Sequence, residues 1–253
     1  MISKFFRRKA QDEPGRIARL PEGWRVYAIG DIHGCAHLLD RLHEKIEADL
    51  AKGRPSEVQL IYLGDYVDRG PDSVGVLDRL SRPPPAGIRR VLLKGNHEDM
   101  LGSFLSDPDV GSSWRQLGGL ETLFSYRIDV NAVLGRAGFG GLADELRKRM
   151  PQTHAETLAR LETSTSLGDY FFCHAGVRPR VALDRQDSRD LMWIRREFLD
   201  SAVDFGKTVV HGHSPVEQPD VRSNRINIDT GAYATGRLTA LVLEGADRRF
   251  LST

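Results

Sequence analysis

The chain has little cysteine, no long apolar run and almost no net charge. Two cysteines, Cys35 and Cys173, in 253 residues cannot build a disulfide framework. That usage fits a reducing compartment, so a cytoplasmic setting is expected. No apolar stretch approaches the roughly 18 residues of a membrane-spanning helix, and stable membrane insertion is not expected. A net charge of +1 gives no overall attraction for nucleic acid or anionic lipid, so no nucleic-acid partner is expected. The basic start, Met1 to Lys9, lacks the apolar segment of a secretory signal and reads as a solvated tail. What remains is ordinary globular composition, 40% hydrophobic and 28% charged, with enough apolar material for one large domain.

Pro14, Gly15, Pro21 and Gly23 make residues 10–23 a lead-in loop, and a single catalytic domain is expected over residues 24–253. Three times the chain then reads strand, short loop, helix. Trp24–Ile29 runs into Gly30-Asp31-Ile32-His33-Gly34, and a helix follows from Ala36 to Ala51, with Leu38, Leu42, Ile46 and Leu50 on one face. Val58–Leu63 runs into Gly64-Asp65-Tyr66-Val67-Asp68-Arg69-Gly70, and Pro71-Asp72 opens a helix reaching about Leu80. Ile88–Leu93 ends at Gly95-Asn96-His97-Glu98, before a helix to about Leu105. This alternation predicts an α/β fold with a mainly parallel sheet, its functional loops at the carboxyl ends of the strands. Residues 106–165 read as a helical insertion capping those loops. Further strands are expected at 169–173, 208–210, 225–228 and 238–243, with one helix over 190–199 that carries Trp193-Ile194-Arg195. Two of these strands end in His174 and in His211-Gly212-His213.

Aspartate, asparagine and histidine are oxygen and nitrogen ligands suited to Mn, Fe or Zn. A carboxylate shared by two ions holds them about 3.5–4 Å apart, the spacing of two-metal hydrolysis. Arg69 and Arg195 can grip phosphate oxygens with paired donors. Each stretch alone has an ordinary explanation. Gly-Asp is common in turns, Asp68-Arg69 can be a surface ion pair, Asn96-His97 a loop cap and His174 a core histidine. Their occurrence together, in order, each at a strand end, favours a metal centre. Cys35 and Cys173 lie beside these stretches and read as two small buried residues rather than a redox pair.

The set Gly-Asp-Ile-His-Gly, Gly-Asp-Tyr-Val-Asp-Arg-Gly, Gly-Asn-His-Glu, His-Ala-Gly and His-Gly-His resembles, over residues 24 to 243, the PPP-type branch of the calcineurin-like metallophosphoesterases, in particular its short bacterial and phage members. The resemblance implies two mixed β-sheets packed as a sandwich and flanked by helices. It implies that Asp31 and His33 hold one ion and that Asn96, His174 and His213 hold a second, with Asp65 bridging. By the same resemblance Arg69 and Arg195 bind the phosphoryl group, and His97, steadied by Asp68, is the general acid. His211 is expected to stay outside the ligand set. His-Ala-Gly at His174 departs mildly from the His-Gly-Gly of many eukaryotic members.

The expected activity is phosphomonoester hydrolysis by in-line attack of a metal-bridging hydroxide. Two divalent ions, manganese first and iron or zinc next, are the expected cofactors. The leading substrate is phosphoserine or phosphothreonine in proteins; a phosphorylated small molecule is the other partner class. Symmetrical diadenosine-tetraphosphate hydrolysis is the first rival, and a catalytically idle metal-binding docking module the second. The Trp114…Gly118-Gly119…Thr122…Ser125-Tyr126 pattern of the insertion favours the phosphatase-type reading.

Overall fold

In the computed structural model the described residues are 17–253; the basic tail and the first part of the lead-in loop lie outside them. The three strand–loop–helix units are present. They comprise β1 (Trp24–Ile29), α1 (Ala36–Ala51), β2 (Glu57–Tyr62), α2 (Ser73–Ser81), β3 (Ile88–Leu92) and α3 (Asn96–Ser106). Strands β1, β2 and β3 pair in parallel. On β1 both faces are buried, so Val26, Tyr27, Ala28 and Ile29 form the continuous apolar run typical of a covered parallel strand. Asp72 caps α2 by accepting from the Gly75 amide at 2.8 Å.

The insertion folds as α4 (Gly111–Gln116), α5 (Gly119–Ser125), α6 (Val130–Arg149) and α7 (Gln152–Ala159). It ends earlier than the sequence suggests. Residues 164–167 form β4 (Ser164–Leu167), an edge strand antiparallel to β5 (Tyr170–Cys173). Its Ser-Thr-Ser-Leu sequence is too short and polar to stand out as a strand.

The single helix expected over 190–199 is two short ones, α8 (Ser188–Trp193) and α9 (Arg196–Leu199). Ile194 is extended, and Arg195 has φ −129° and ψ −104°. The cause is a competing bond. The Leu191 carbonyl, which a continuous helix would use for the Arg195 amide, accepts from the Ala175 amide at 2.7 Å. The break leaves Arg195 exposed while Leu191, Ile194 and Phe198 stay buried.

The remaining elements are β6 (Thr208–His211), β7 (Asp220–Val221), β8 (Arg225–Asn227), α10 (Ala232–Thr235), β9 (Thr239–Glu244) and β10 (Asp247–Ser252). The first sheet has the order β10-β9-β1-β2-β3 and the second β4-β5-β6-β8-β7; both are mixed. Strand β10 carries Asp247, Arg248 and Arg249 on an exposed edge, and such charges hide a strand from pattern reading while blocking edge-to-edge pairing.

Three apolar layers hold the sandwich. Val26, Ala28, Ile61 and Leu63 meet Tyr170, Phe172, Val210 and Ile226 between the sheets. Tyr27, Ile29, Leu60 and Tyr62 pack outward against α1, α2 and the insertion. Phe171, Cys173 and Val209 pack against Leu191, Ile194 and Phe198. Among the described residues no helix is long and apolar enough to cross a membrane. Phe172→Ala would open a cavity between the sheets. A loss of about 3–5 kcal/mol in unfolding free energy is expected by urea titration, and a loss under 1 kcal/mol would contradict the assigned packing.

Candidate active site

The carboxyl ends of strands from both sheets converge on one cluster. Asp31 and His33 follow β1, Asp65 to Arg69 follow β2, and Asn96 and His97 open α3 after β3. His174 follows β5 and His213 follows β6. Asp31, His33, Asp65, Asp68, Asn96, His97, His174 and His213 are all buried.

Asp65 stands between two groups of donors. Its Oδ2 is 3.4 Å from His33 Nε2 and 3.8 Å from His97 Nε2. Its Oδ1 is 3.3 Å from His174 Nε2. His33, Asp65 and His97 form one set, and Asp65, His174 and His213 another; within each, the ligand atoms lie within 4.8 Å of one another. Asn96 Oδ1 joins the second set, 3.0 Å from His174 Nε2 and 2.7 Å from His213 Nδ1. Asp31 is tied to the same place by its Oδ2, which accepts from the His213 amide at 3.0 Å. The imidazoles are aimed by their far nitrogens. His33 Nδ1 bonds the Val67 carbonyl, and His174 Nδ1 the Leu63 carbonyl, both at 2.9 Å. Those bonds leave each Nε2 for the cluster.

Several of these residues sit in strained backbone. His33, Asp65, Asp68, Arg69 and His213 have φ between 44° and 70°. They are five of the seven non-glycine residues with positive φ among those described, a concentration that marks a functional centre. Gly64, at φ 107°, allows close approach: a Cβ there would lie 2.6 Å from the Gly95 amide nitrogen and 3.0 Å from His174 Nδ1.

The electrostatics show what the cluster lacks. Burial, with the Asp229 and Asp65 charges nearby, pushes Asp31 well above the usual carboxylate range. Burial also opposes ionisation of Asp65, yet His174, His97 and His33 outweigh it and hold Asp65 well below that range. Burial disfavours the His174 cation, but Asp65 and Asp31 raise it to about 10. Burial drives His33 down to about 3; burial, with His174 beside it, drives His213 to about 2. Buried Asp31 Oδ1, His97 Nε2 and His213 Nε2 have no hydrogen-bond partner. Crowded carboxylates, the neutral imidazoles of His33 and His213 and the orphaned Asp31 Oδ1 and His213 Nε2 are donors that divalent cations complete. The residues present therefore fit a metal centre.

Around this centre lies a second ring. His97 Nδ1 bonds Asp68 Oδ2 at 2.8 Å. Burial lowers the His97 pKa, but Asp65 and Asp68 more than compensate and it lies above the ordinary imidazole value. Asp68 also accepts from Trp114 Nε1 at 2.9 Å and from Thr122 Oγ1 at 2.6 Å. Glu98 takes four backbone amides: Asp65 and Gly95 on Oε2, Tyr66 and Val67 on Oε1. Burial and the Asp65 charge raise Glu98 to about 7 against the pull of those donors. The half-buried guanidinium of Arg69 lies 5.0 Å from the ring centroid of Tyr233, and that ring meets His33 edge-on at 5.3 Å. Tyr233, on α10, is 42% exposed, so this ring forms part of the mouth.

The ten residues singled out in the sequence fall into this arrangement unequally. Eight form the buried centre, Arg69 lies at its mouth, and Arg195 is exposed, near enough to act electrostatically on His213. His97 is closer to the His33 set than its expected role requires. His211 stays outside, its ring against Phe198 at 4.9 Å. Sequence reasoning missed Asp229, a buried carboxylate raised to about 6 by burial and Asp65 although the Gly231 amide bonds it. The Asp229-Thr230-Gly231 stretch after β8 carried the strand-end signal. Nothing comparable marked Tyr233. Cys35 and Cys173 are buried and free.

Comparison with known proteins agrees with this geometry. The family model of calcineurin-like phosphoesterases matches residues 25–240. The chain is 29% identical over 238 residues to a bis(5'-nucleosyl)-tetraphosphatase PrpE (asymmetrical) of Bacillus thuringiensis (strain Al Hakam), covering 84% of this chain and 88% of that protein. A solved structure of a candidate diadenosine tetraphosphatase superposes with a TM-score of 0.62 at 23% identity, over 93% of this chain and 98% of the other. A serine/threonine phosphatase of Saccharomyces cerevisiae shares the fold with a TM-score of 0.53 at 15% identity, over 91% and 79%.

Because Asp65 presents one oxygen to each donor set, Asp65→Asn is expected to lower the content of both ions together. Elemental analysis after manganese loading checks this, and two ions at full occupancy in the variant would contradict it. With a sandwich of two mixed sheets, donor sets at their shared edge and a family match over most of its length, the chain belongs to the calcineurin-like metallophosphoesterases.

Proposed function

We propose that this metal-dependent phosphoesterase, of the PPP-type branch, hydrolyses bis(5'-nucleosyl) tetraphosphates asymmetrically, to a nucleoside triphosphate and a nucleoside monophosphate. The observation that carries the reading is Tyr233, an exposed ring at the mouth, touching both a centre histidine and a phosphate-competent arginine. A nucleobase stacked there would leave its phosphates beside Arg69. The relatives named for this activity, matched over most of both chains, support the same substrate.

Asp31, His33 and Asp65 are proposed to hold one ion, and Asp65, Asn96, His174 and His213 the other. Two divalent ions, manganese by preference, would polarise the phosphoryl oxygens and lower the pKa of a nucleophilic water. Arg69 and Arg195 take up phosphoryl charge with guanidinium donors. His97 keeps a proton at Nε2 for the departing oxygen, while Nδ1 bonds Asp68 and so fixes the ring. The free cysteines suit a cytoplasmic enzyme.

Phosphoserine or phosphothreonine in proteins is the second reading, supported by the Gly-Asp-Tyr-Val-Asp-Arg-Gly and Gly-Asn-His-Glu stretches and by the exposure of Arg195. Diadenosine tetraphosphate and a phosphoserine peptide, assayed on one manganese-loaded preparation, separate the two. ATP with AMP is expected. Two ADP would mean symmetrical cleavage; turnover of the peptide alone would overturn the nucleotide reading.

Base stacking contributes about 1–3 kcal/mol, so Tyr233→Ala should raise KM for the dinucleotide roughly 5- to 150-fold. KM for phosphoserine, which has no ring to stack, should move far less. Equal losses on both would contradict the stacking role. Arg195→Ala should raise KM on every phosphate ester and leave metal content intact; loss of metal would show that the α8–α9 break is structural.

A further inference from the structure

The helical insertion does more than cover the centre. Its α4–α5 corner sends three groups to the turn after β2. Trp114 Nε1 and His97 Nδ1 share one oxygen of Asp68, at 2.9 and 2.8 Å. The Thr122 hydroxyl acts twice on the same residue: it accepts from the Asp68 amide at 2.9 Å and donates to Asp68 Oδ1 at 2.6 Å. The Gly118 carbonyl accepts from the Arg69 amide at 3.0 Å. Asp68 and Arg69 are successive non-glycine residues at φ 70° and 65°, a conformation that costs about 1–3 kcal/mol per residue unless its surroundings impose it.

The corner itself is closely packed. Trp114 is buried, its ring 4.6 Å from that of Phe104. Any side chain on Gly119 would overlap that indole, and a Cβ on Gly118 would lie 2.8 Å from Arg69 Cγ. Thr122 is fully buried, and its hydroxyl also meets Ser73 Oγ at 3.1 Å. Asp68 is fully buried as well, so without these donors its carboxylate would face His97 alone and be free to turn.

We infer that Trp114 and Thr122 are positioning residues for proton transfer: they fix the Asp68 carboxylate, and through it aim His97 Nε2 at the reacting centre. This inference rests on the phosphoesterase reading above. Because the donors act through Asp68 and His97, they matter in proportion to the need of the leaving oxygen for a proton.

The experiment compares phenyl phosphate, whose leaving oxygen is the stronger base, with p-nitrophenyl phosphate, in the manganese-loaded full chain. Thr122→Val and Trp114→Phe should each lower kcat on phenyl phosphate about 10-fold or more. The loss on p-nitrophenyl phosphate should be several-fold smaller, with metal content unchanged. Thr122→Ser, which keeps the hydroxyl, should recover most of what Thr122→Val loses. Equal losses on both esters, or no recovery with serine, would overturn the inference. A readout without turnover stands beside it. In the metal-free protein the Trp114 indole proton resonance should lie downfield, shift upfield in Asp68→Ala, and move also in Thr122→Val. An unchanged resonance in both variants would overturn the inference. A parent chain that hydrolyses neither these esters nor diadenosine tetraphosphate would sink the phosphoesterase reading instead, and the resonance would still decide the positioning role.

Discussion

The site answers to one electrostatic constraint: Asp31, Asp65 and Asp229 are buried together, so that Asp65 and Asp229 raise Asp31, and Asp65 raises Asp229. The acidic surroundings favour the cations of His174 and His97, and His174 faces Asp65, Asn96 and His213 at once. Carboxylates in a low-dielectric interior are costly unless paired, and the cost falls when a cation is shared among them. A cation bound by the folded centre would therefore stabilise these loops, which couples metal binding to their integrity.

Satisfying that constraint requires six strand ends to meet. The interlayer core brings the two sheets together so that β1, β2 and β3 deliver their loops to the same edge as β5, β6 and β8. Glu98 then ties the first residues of the β2 loop to the start of α3 through four amides. The insertion ties down the remainder, at Asp68 and Arg69. Positive φ at five functional positions is the backbone cost of that convergence, sustained because fixed hydrogen bonds surround each turn.

Much of this was readable in the sequence, and for a physical reason. A glycine–aspartate or histidine pair closing an apolar run encodes both the strand and the reason it stops, so the parallel units and the eight buried residues could be named without coordinates. The failures share a cause too. The break at Arg195 follows from a tertiary bond, Ala175 to Leu191, that local pattern cannot reveal, because Leu191, Ile194 and Phe198 keep helical spacing across it. Strands β4 and β10 are polar edge strands without the alternation that betrays a half-buried one. Trp114 and Thr122 stood out as a pattern, yet the Asp68 carboxylate that they bond lies 46 and 54 residues away in the sequence. Tyr233 belongs to no motif, since only the folded chain sets it against Arg69 and His33.

The central claim is that Asp65 joins two ion sites. Crystals grown with manganese and measured at its absorption edge test it directly. The account predicts two anomalous peaks about 3.5–4 Å apart, one against Asp31, His33 and Asp65, the other against Asp65, Asn96, His174 and His213. A single peak, or two peaks that do not share Asp65, would contradict it.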